Sequence, residues 1–361
     1  MRNSVLLCIA FWLYILPLQA MPNDDVLKKM IGHMLIVGFD EESLTNTSAV
    51  IEEIVRYELG GVILFDRFYS DKTRVKNIRS STQLRKLTHT LNIFAKNPLL
   101  ICVDQEGGNV ARLKPLAGFI QTPSAHKVAQ DSLQNAIVTY NAMAQMLLEN
   151  GINCNFAPDV DLARNPQNSV IVGLERSYGT DVNVVSAYAT AFIDALSSHH
   201  IVSVLKHFPG HGSSLGDSHL GFVDVTQTWS EVELEPYKRL MDNNKVAMIM
   251  SAHVFNAHLD AKYPATLSYA INTTLLREKL GFQGVLVSDD MQMQAIANHY
   301  TLKEALSLAI NSGIDMLLFG NQLSKTQTSE IVETIFSQVK NGVISWERIE
   351  EANERIQKNR R

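Results

Sequence analysis

Short apolar runs recur along the chain at intervals that leave room for a helix between each pair. They are Met34–Phe39, Gly61–Phe65, Leu99–Val103, Ile152–Phe156, Ile201–Leu205, Val246–Met250, Val285–Val287 and Ile314–Phe319. Each is bounded by polar or glycine residues and is too brief for a helix, so they predict buried strands. The gaps carry apolar residues at helical spacing, as in Asp131–Glu149, Val182–Ser198, Leu302–Asn311 and Ser329–Lys340. Three of these stop at Gly151, Gly313 and Gly342, where glycine suits a helix end. A last segment, Ser345–Ile356, opens on a capping serine and predicts a packed terminal helix. Strand and helix alternating about eight times, with hydrophobic strands, predict a parallel sheet covered by helices.

The polar residues say how that sheet closes. Asp104 follows the third run, Asp159 and Asp161 the fourth, Lys206 and His207 the fifth, His253 the sixth, and Asp289 with Asp290 the seventh. Chemistry drawn from that many strand ends fits the mouth of a closed barrel, whereas an open doubly wound sheet would gather it at one switch point. The expectation is an α/β fold, a (β/α)8 TIM barrel, with residues 21–361 as one catalytic domain. No Pro-, Ser- or Gly-rich linker divides it, and no nucleotide-binding glycine motif occurs.

Composition adds two exclusions and an address. With 361 residues, 32 basic and 37 acidic, the formal charge is −5, and basic residues cluster only at Lys358–Arg361, so no nucleic-acid partner is expected. Residues Met1–Ala20 carry Arg2 and then an unbroken apolar stretch, the pattern of a secretory signal cleaved after Ala20. A periplasmic or secreted location follows; left uncleaved, the same stretch would be a membrane anchor, the only membrane contact expected. Of three cysteines, Cys8 lies in the leader, while Cys102 and Cys154 fall in predicted strands and read as buried thiols.

Candidate chemistry concentrates between Lys206 and His219. Glycines at 210, 212, 216 and 221 suit a mobile loop there, and Asp217 is spaced to bond one ring nitrogen of His219 while the other faces a substrate. Adjacent strand residues diverge, so of Asp289 and Asp290 the first is assigned to the barrel centre and the second to capping the helix that follows. No Gly-x-Ser-x-Gly elbow supports acyl transfer. His207, His211, His219 and His253 with an aspartate suggest zinc, but Pro209 and Gly210 oppose the helix that a His207/His211 pair needs, and no metal is expected. The carboxylates of Asp104-Gln-Glu-Gly-Gly108 could grip hydroxyls. Arg176, taken alone, reads as a surface partner of Glu175.

Four motifs together resemble the family-3 glycoside hydrolases, and among them the single-domain bacterial β-N-acetylhexosaminidases. They are Val103–Gly108, Glu175–Gly179, Lys206–Gly212 with Asp217–His219, and Val287–Met291. The resemblance implies a retaining exo-β-N-acetylglucosaminidase that needs no metal or organic cofactor. In that reading Asp289 is the nucleophile and His219, paired with Asp217, is the general acid/base, in place of a second carboxylate. Asp104, Arg112, Arg176, Lys206 and His207 would hold the sugar. Small N-acetylglucosamine-containing saccharides or muropeptides are the implied substrates. The chain departs from the family pattern at Asn109, where arginine is usual, at the additional acid Asp159, and in a long stretch from Phe68 to Pro98. A family-3 β-glucosidase, an N-acetylglucosaminide phosphorylase and a non-catalytic sugar-binding barrel are the alternatives. The first usually draws its acid/base from a second domain, and the last would not need Asp289 and His219.

Overall fold

The computed structural model describes residues 21–242 and 245–359. The expected signal, Met1–Ala20, lies outside the described residues. Eight parallel strands close into a barrel in chain order: β1 (Leu35–Gly38), β2 (Gly61–Ile63), β3 (Leu100–Val103), β4 (Cys154–Asn155), β5 (Val202–Phe208), β6 (Met248–Ser251), β7 (Val285–Asp290) and β8 (Met316–Phe319). Closure is made by β8 returning to β1, with Leu35 opposite Leu317 and Val37 opposite Phe319. β1, β3, β6 and β8 are buried along their whole length because barrel interior and helices cover both faces, which is why the strands read as continuous hydrophobic runs. Cys102 and Cys154 are buried free thiols in register on β3 and β4.

The helices begin and end for local reasons legible in the sequence. Val182–Ser198 starts after Asp181, whose Oδ1 accepts the Asn183 and Val184 N–H groups at 2.6 and 3.3 Å. Leu302–Ser312 opens on a reciprocal Thr301/Glu304 capping box and stops at Gly313, where φ is +111°. The terminal helix, Trp346–Asn359, is capped by the Ser345 hydroxyl on the Arg348 N–H. It is fastened to the bottom of the barrel through Asp315. That carboxylate meets Arg277 at 2.6 Å, Arg348 at 2.7 Å and Arg355 at 3.1 Å. No helix among the described residues is long and apolar enough to cross a membrane.

Two strands run further than their hydrophobic runs. β5 continues through Lys206 and His207 to Phe208, which pairs with Ser251, and β7 continues to Asp290, which pairs with Leu318. The sequence places these positions at the strand ends; neighbouring strands still offer backbone partners there, so the ladder continues and carries the polar side chains on rigid backbone. The long segment after β2 also has a place. Arg67 and Val75 form an antiparallel bridge, and the helix Ser81–Phe94 follows. The extra length builds part of the barrel rim.

Candidate active site

A cavity of about 840 Å³ opens at the C-terminal mouth of the barrel. All eight residues singled out from the sequence line it: Asp104, Arg112, Arg176, Lys206, His207, Asp217, His219 and Asp289. They come from the ends of β3, β5 and β7 and from the loops after β3, β4 and β5. The Lys206–His207 peptide at its floor is cis.

One wall is a network of buried charge. Lys206 Nζ donates to Asp104 Oδ1 at 3.1 Å and lies 2.6 Å from Glu106 Oε1. Arg176 donates from Nε and Nη2 to the two oxygens of Glu106, both at 2.8 Å. Arg112 Nη2 donates to the other oxygen of Asp104 at 3.0 Å. Burial alone would raise Asp104, but the charges of Lys206 and Arg112 outweigh it and hold the carboxyl well below its usual range. Glu106 is likewise lowered, burial being outweighed by Arg176 and Lys206. Arg176 is only 7% exposed and so is not the surface partner of Glu175, which turns to Ser124 at 2.7 Å and Lys127 at 3.7 Å. From the sequence, Glu106 is expected only as one of two carboxylates able to grip hydroxyls and is not among the residues assigned to hold the sugar; its place between the two cations is not foreseen. The signal for it was two cations destined for one mouth, which cannot be buried without a shared counter-charge.

Beneath this wall the tautomer of His207 is set by its neighbours. Arg176 Nη2 lies 3.1 Å from His207 Nε2, and a guanidinium only donates, so that nitrogen is the acceptor. The proton therefore sits on Nδ1, which donates to Asp161 Oδ2 at 2.7 Å. Asp161 also accepts the His211 backbone N–H at 2.8 Å. Burial raises its carboxyl, but the hydrogen bond from His207 and the electrostatic influence of His207 and His211 prevail and bring it down to about 2. Asp159 goes the other way, pushed well above the usual carboxylate range by burial and then by Asp161, against Arg176 at 3.3 Å.

Asp159, Asp161 and His207 each place a ligand atom within 4.8 Å of the others. Of the histidines weighed from the sequence only His207 belongs to this group; the others do not join it. His211 turns to Ser214 and Ser218, and His253 to Thr266 and to the backbone carbonyl of Asp290. At the cluster itself the facing ring nitrogen carries a proton and a guanidinium stands against one carboxylate. The donor set is thus matched to protein charges rather than to a cation.

Across the cavity stand the groups suited to bond making. Asp289 Oδ1 accepts the Asp290 N–H at 2.8 Å, and among the described residues no donor reaches its other oxygen. Burial would raise it, yet the electrostatic influence of His253, His207 and His219 holds it below the ordinary carboxylate value, so it is an anion at neutral pH. Asp290 also lines the cavity and does not cap a helix. Its Oδ1 accepts the Gln292 N–H at 3.0 Å in the turn before the helix Gln294–Ala297, because the strand continues one residue further than the cap assignment assumed. Burial and then the adjacent Asp289 push Asp290 up to about 6.

On the loop after β5, Asp217 Oδ1 accepts His219 Nδ1 at 2.8 Å, leaving Nε2 for a substrate. Burial lowers the imidazole, but the Asp217 bond and the charges of Asp289 and Asp217 outweigh it, and the net shift is upward. At Gly212, in the foot of this loop, an added Cβ would lie 1.7 Å from the Leu162 carbonyl oxygen, so only glycine fits that approach. The rim carries Asn109, whose side chain donates to Leu174 O at 3.4 Å, together with Phe68, Tyr69 and Lys72 from the long segment.

An ionised carboxylate and a protonatable imidazole facing one polar cavity can attack a carbon and protonate its leaving group. Comparison with known proteins bears on which carbon. The model of the glycosyl hydrolase family 3 N-terminal domain matches residues 26–359. A β-hexosaminidase of Tolumonas auensis is 38% identical over 276 residues, spanning 74% of this chain and 78% of that one. A β-hexosaminidase of Haemophilus influenzae is 34% identical over 272 residues, 73% of each chain. A solved family 3 β-N-acetylglucosaminidase from Paenibacillus sp. superposes with a TM-score of 0.82 at 31% identity, covering 92% of this chain. This chain spans 62% of that longer protein, less than two thirds.

Proposed function

The chain belongs to glycosyl hydrolase family 3, and from that premise we propose a retaining exo-β-N-acetylglucosaminidase that removes terminal N-acetylglucosamine from cell-wall fragments. The observation that carries this reading is the pairing within one cavity of the anionic Asp289 with the Asp217-bound His219. Asp289 attacks the anomeric carbon while the bond to the aglycone oxygen breaks, and His219 Nε2 gives that oxygen its proton. The glycosyl-aspartate is then hydrolysed by a water whose proton returns to His219, so the sugar leaves with its starting configuration. Imidazolium is the competent acid, because Nδ1–H is committed to Asp217 and the proton delivered must be a second one on Nε2.

The charged wall serves the sugar. Lys206 and Arg176 have donors to spare beyond their carboxylates, and Asp104 and Glu106 present acceptors, the mixture that vicinal hydroxyls require. The cavity exceeds one sugar ring, and Arg67, Lys72 and Lys114 on its rim suit an aglycone bearing carboxylates, such as a muropeptide. Export directed by Met1–Ala20 would bring the enzyme to such fragments.

The test is release of phenol from an aryl β-N-acetylglucosaminide between about pH 5 and 8, the span of histidine chemistry, with identification of the sugar freed from purified peptidoglycan fragments. Asp289→Ala is expected to abolish turnover with the fold intact. No turnover by the native protein, or full activity in the variant, overturns the reading.

A further inference from the structure

The Asp217–His219 pair is rigid within itself and loosely tied to its surroundings. Asp217 Oδ1 accepts both the His219 backbone N–H at 2.9 Å and the ring Nδ1–H at 2.8 Å, so carboxylate and imidazole move as one body. The foot of their loop is firmly held. Asn168 Nδ2 donates to the His211 carbonyl at 2.9 Å, Asn165 Nδ2 to the Ser214 carbonyl at 2.9 Å, and Trp229 Nε1 to the Pro209 carbonyl at 3.0 Å. The tip is open, with Leu215 and Leu220 exposed by 64% and 67%.

Between the two catalytic groups one residue turns inward. Ser218 is 2% exposed. Its Oγ lies 3.4 Å from His211 Nε2, and its carbonyl accepts the Ala295 N–H at 3.3 Å. His211, just after β5, is fixed to the segment that follows β4 through the bond from its backbone N–H to Asp161. Ala295 follows β7, the strand that carries Asp289. Among the described residues, no other side chain from Leu215 to Leu220 makes a hydrogen bond outside the Asp217–His219 pair. Bonds internal to a rigid pair cannot set its distance from a group on another strand. Both Ser218 contacts sit at the long end of the hydrogen-bond range, as expected for a loop that tightens when its site is filled.

We propose that Ser218 is a positioning residue, a latch whose hydroxyl on His211 and carbonyl on the Ala295 N–H hold the Asp217–His219 pair at working distance from Asp289. The assignment rests on His219 being the proton donor. Removing the hydroxyl frees the pair on one side, so the proton arrives late, and only substrates that need it suffer.

The experiment compares Ser218→Ala with the native protein on two N-acetylglucosaminides, one with a dinitrophenol leaving group and one with an unactivated sugar aglycone. Expected is a loss in kcat/KM, which reports the glycosylation step, of roughly tenfold or more on the sugar aglycone, within the roughly 10²–10⁴-fold that general acid catalysis supplies. The kcat/KM for the dinitrophenyl substrate should be nearly unchanged, because its leaving group needs little protonation. Equal losses on both substrates, or none on either, overturn the latch. His219→Ala run in parallel separates the two readings. If it loses equally on both substrates, the proton-donor role fails and the latch with it. If it is selective and Ser218→Ala is not, only the latch fails. Should Ser218→Ala also lower the thermal midpoint, a cycle with His211→Asn decides. A bond between the two makes their kinetic effects non-additive, and additivity overturns the proposal.

Discussion

Asp217 performs two tasks on His219, orienting the ring and stabilising its charged form, and the second has a readable sign. The imidazole lies above its ordinary value of 6.5, burial being outweighed by the Asp217 bond and by Asp289. The imidazolium that can donate exists below that raised value, and on the proposed mechanism glycosylation fails as pH rises through it. Asp217→Asn removes the charge, so the alkaline limb of kcat/KM should move to lower pH. A limb that stays in place would remove the pair from proton transfer. Asp289 sits at the opposite extreme, lowered against its burial by His253, His207 and His219, so it stays ionised while His219 is still protonated. In the proposed mechanism acid and nucleophile coexist in their working states because each stabilises the charge of the other.

At the scale of elements, the charged wall, proposed to face the sugar, is assembled from the ends of β3 and β5 and the loops after β3 and β4. Its centre is Glu106, shared by Lys206 at 2.6 Å and Arg176 at 2.8 Å. Glu106→Gln should leave two buried cations without their common anion, letting both side chains drift from the hydroxyls they meet. We expect KM for an aryl N-acetylglucosaminide to rise about tenfold or more, equivalent to ~1.4 kcal/mol of binding per factor of ten, with a lowered thermal midpoint. An unchanged KM would assign Glu106 to folding alone. The strand extensions matter for the same reason. Lys206, His207 and Asp289 sit on paired backbone and can be positioned finely, whereas Asp217 and His219 ride a loop.

Across the whole molecule, chemistry and anchorage occupy opposite ends of the barrel. The mouth gathers unevenly balanced, partly exposed charge, while the bottom holds Asp315 among three arginines that draw the terminal helix onto the barrel. Asp315→Ala removes the carboxylate that the three arginines share, leaving Arg277 with backbone carbonyls only and Arg348 and Arg355 with Glu351, a change of the kind that costs about 3–5 kcal/mol. A fall of that size in urea-unfolding stability, with kcat/KM of the folded enzyme unchanged, is the expected result. A loss of activity without loss of stability would show that the two ends are coupled.

The sequence by itself determined the parallel barrel, because strands buried on both faces must be hydrophobic and the helices between them must show a 3.6-residue stripe. It also determined which residue types reach the mouth, since a polar residue directly after a buried strand has nowhere else to go. Asp217 and His219 could be paired on paper because their bond is local. Whether they meet Asp289 was beyond that reasoning, as was the exchange by Arg176 of its neighbour Glu175 for Glu106, seventy residues away in the chain. The tautomer of His207, the opposite shifts of Asp159 and Asp161, and the inward turn of Ser218 belong to the same class. Each depends on charges and donors brought within a few ångströms by closure of the barrel, and interactions of that kind leave no period in a sequence.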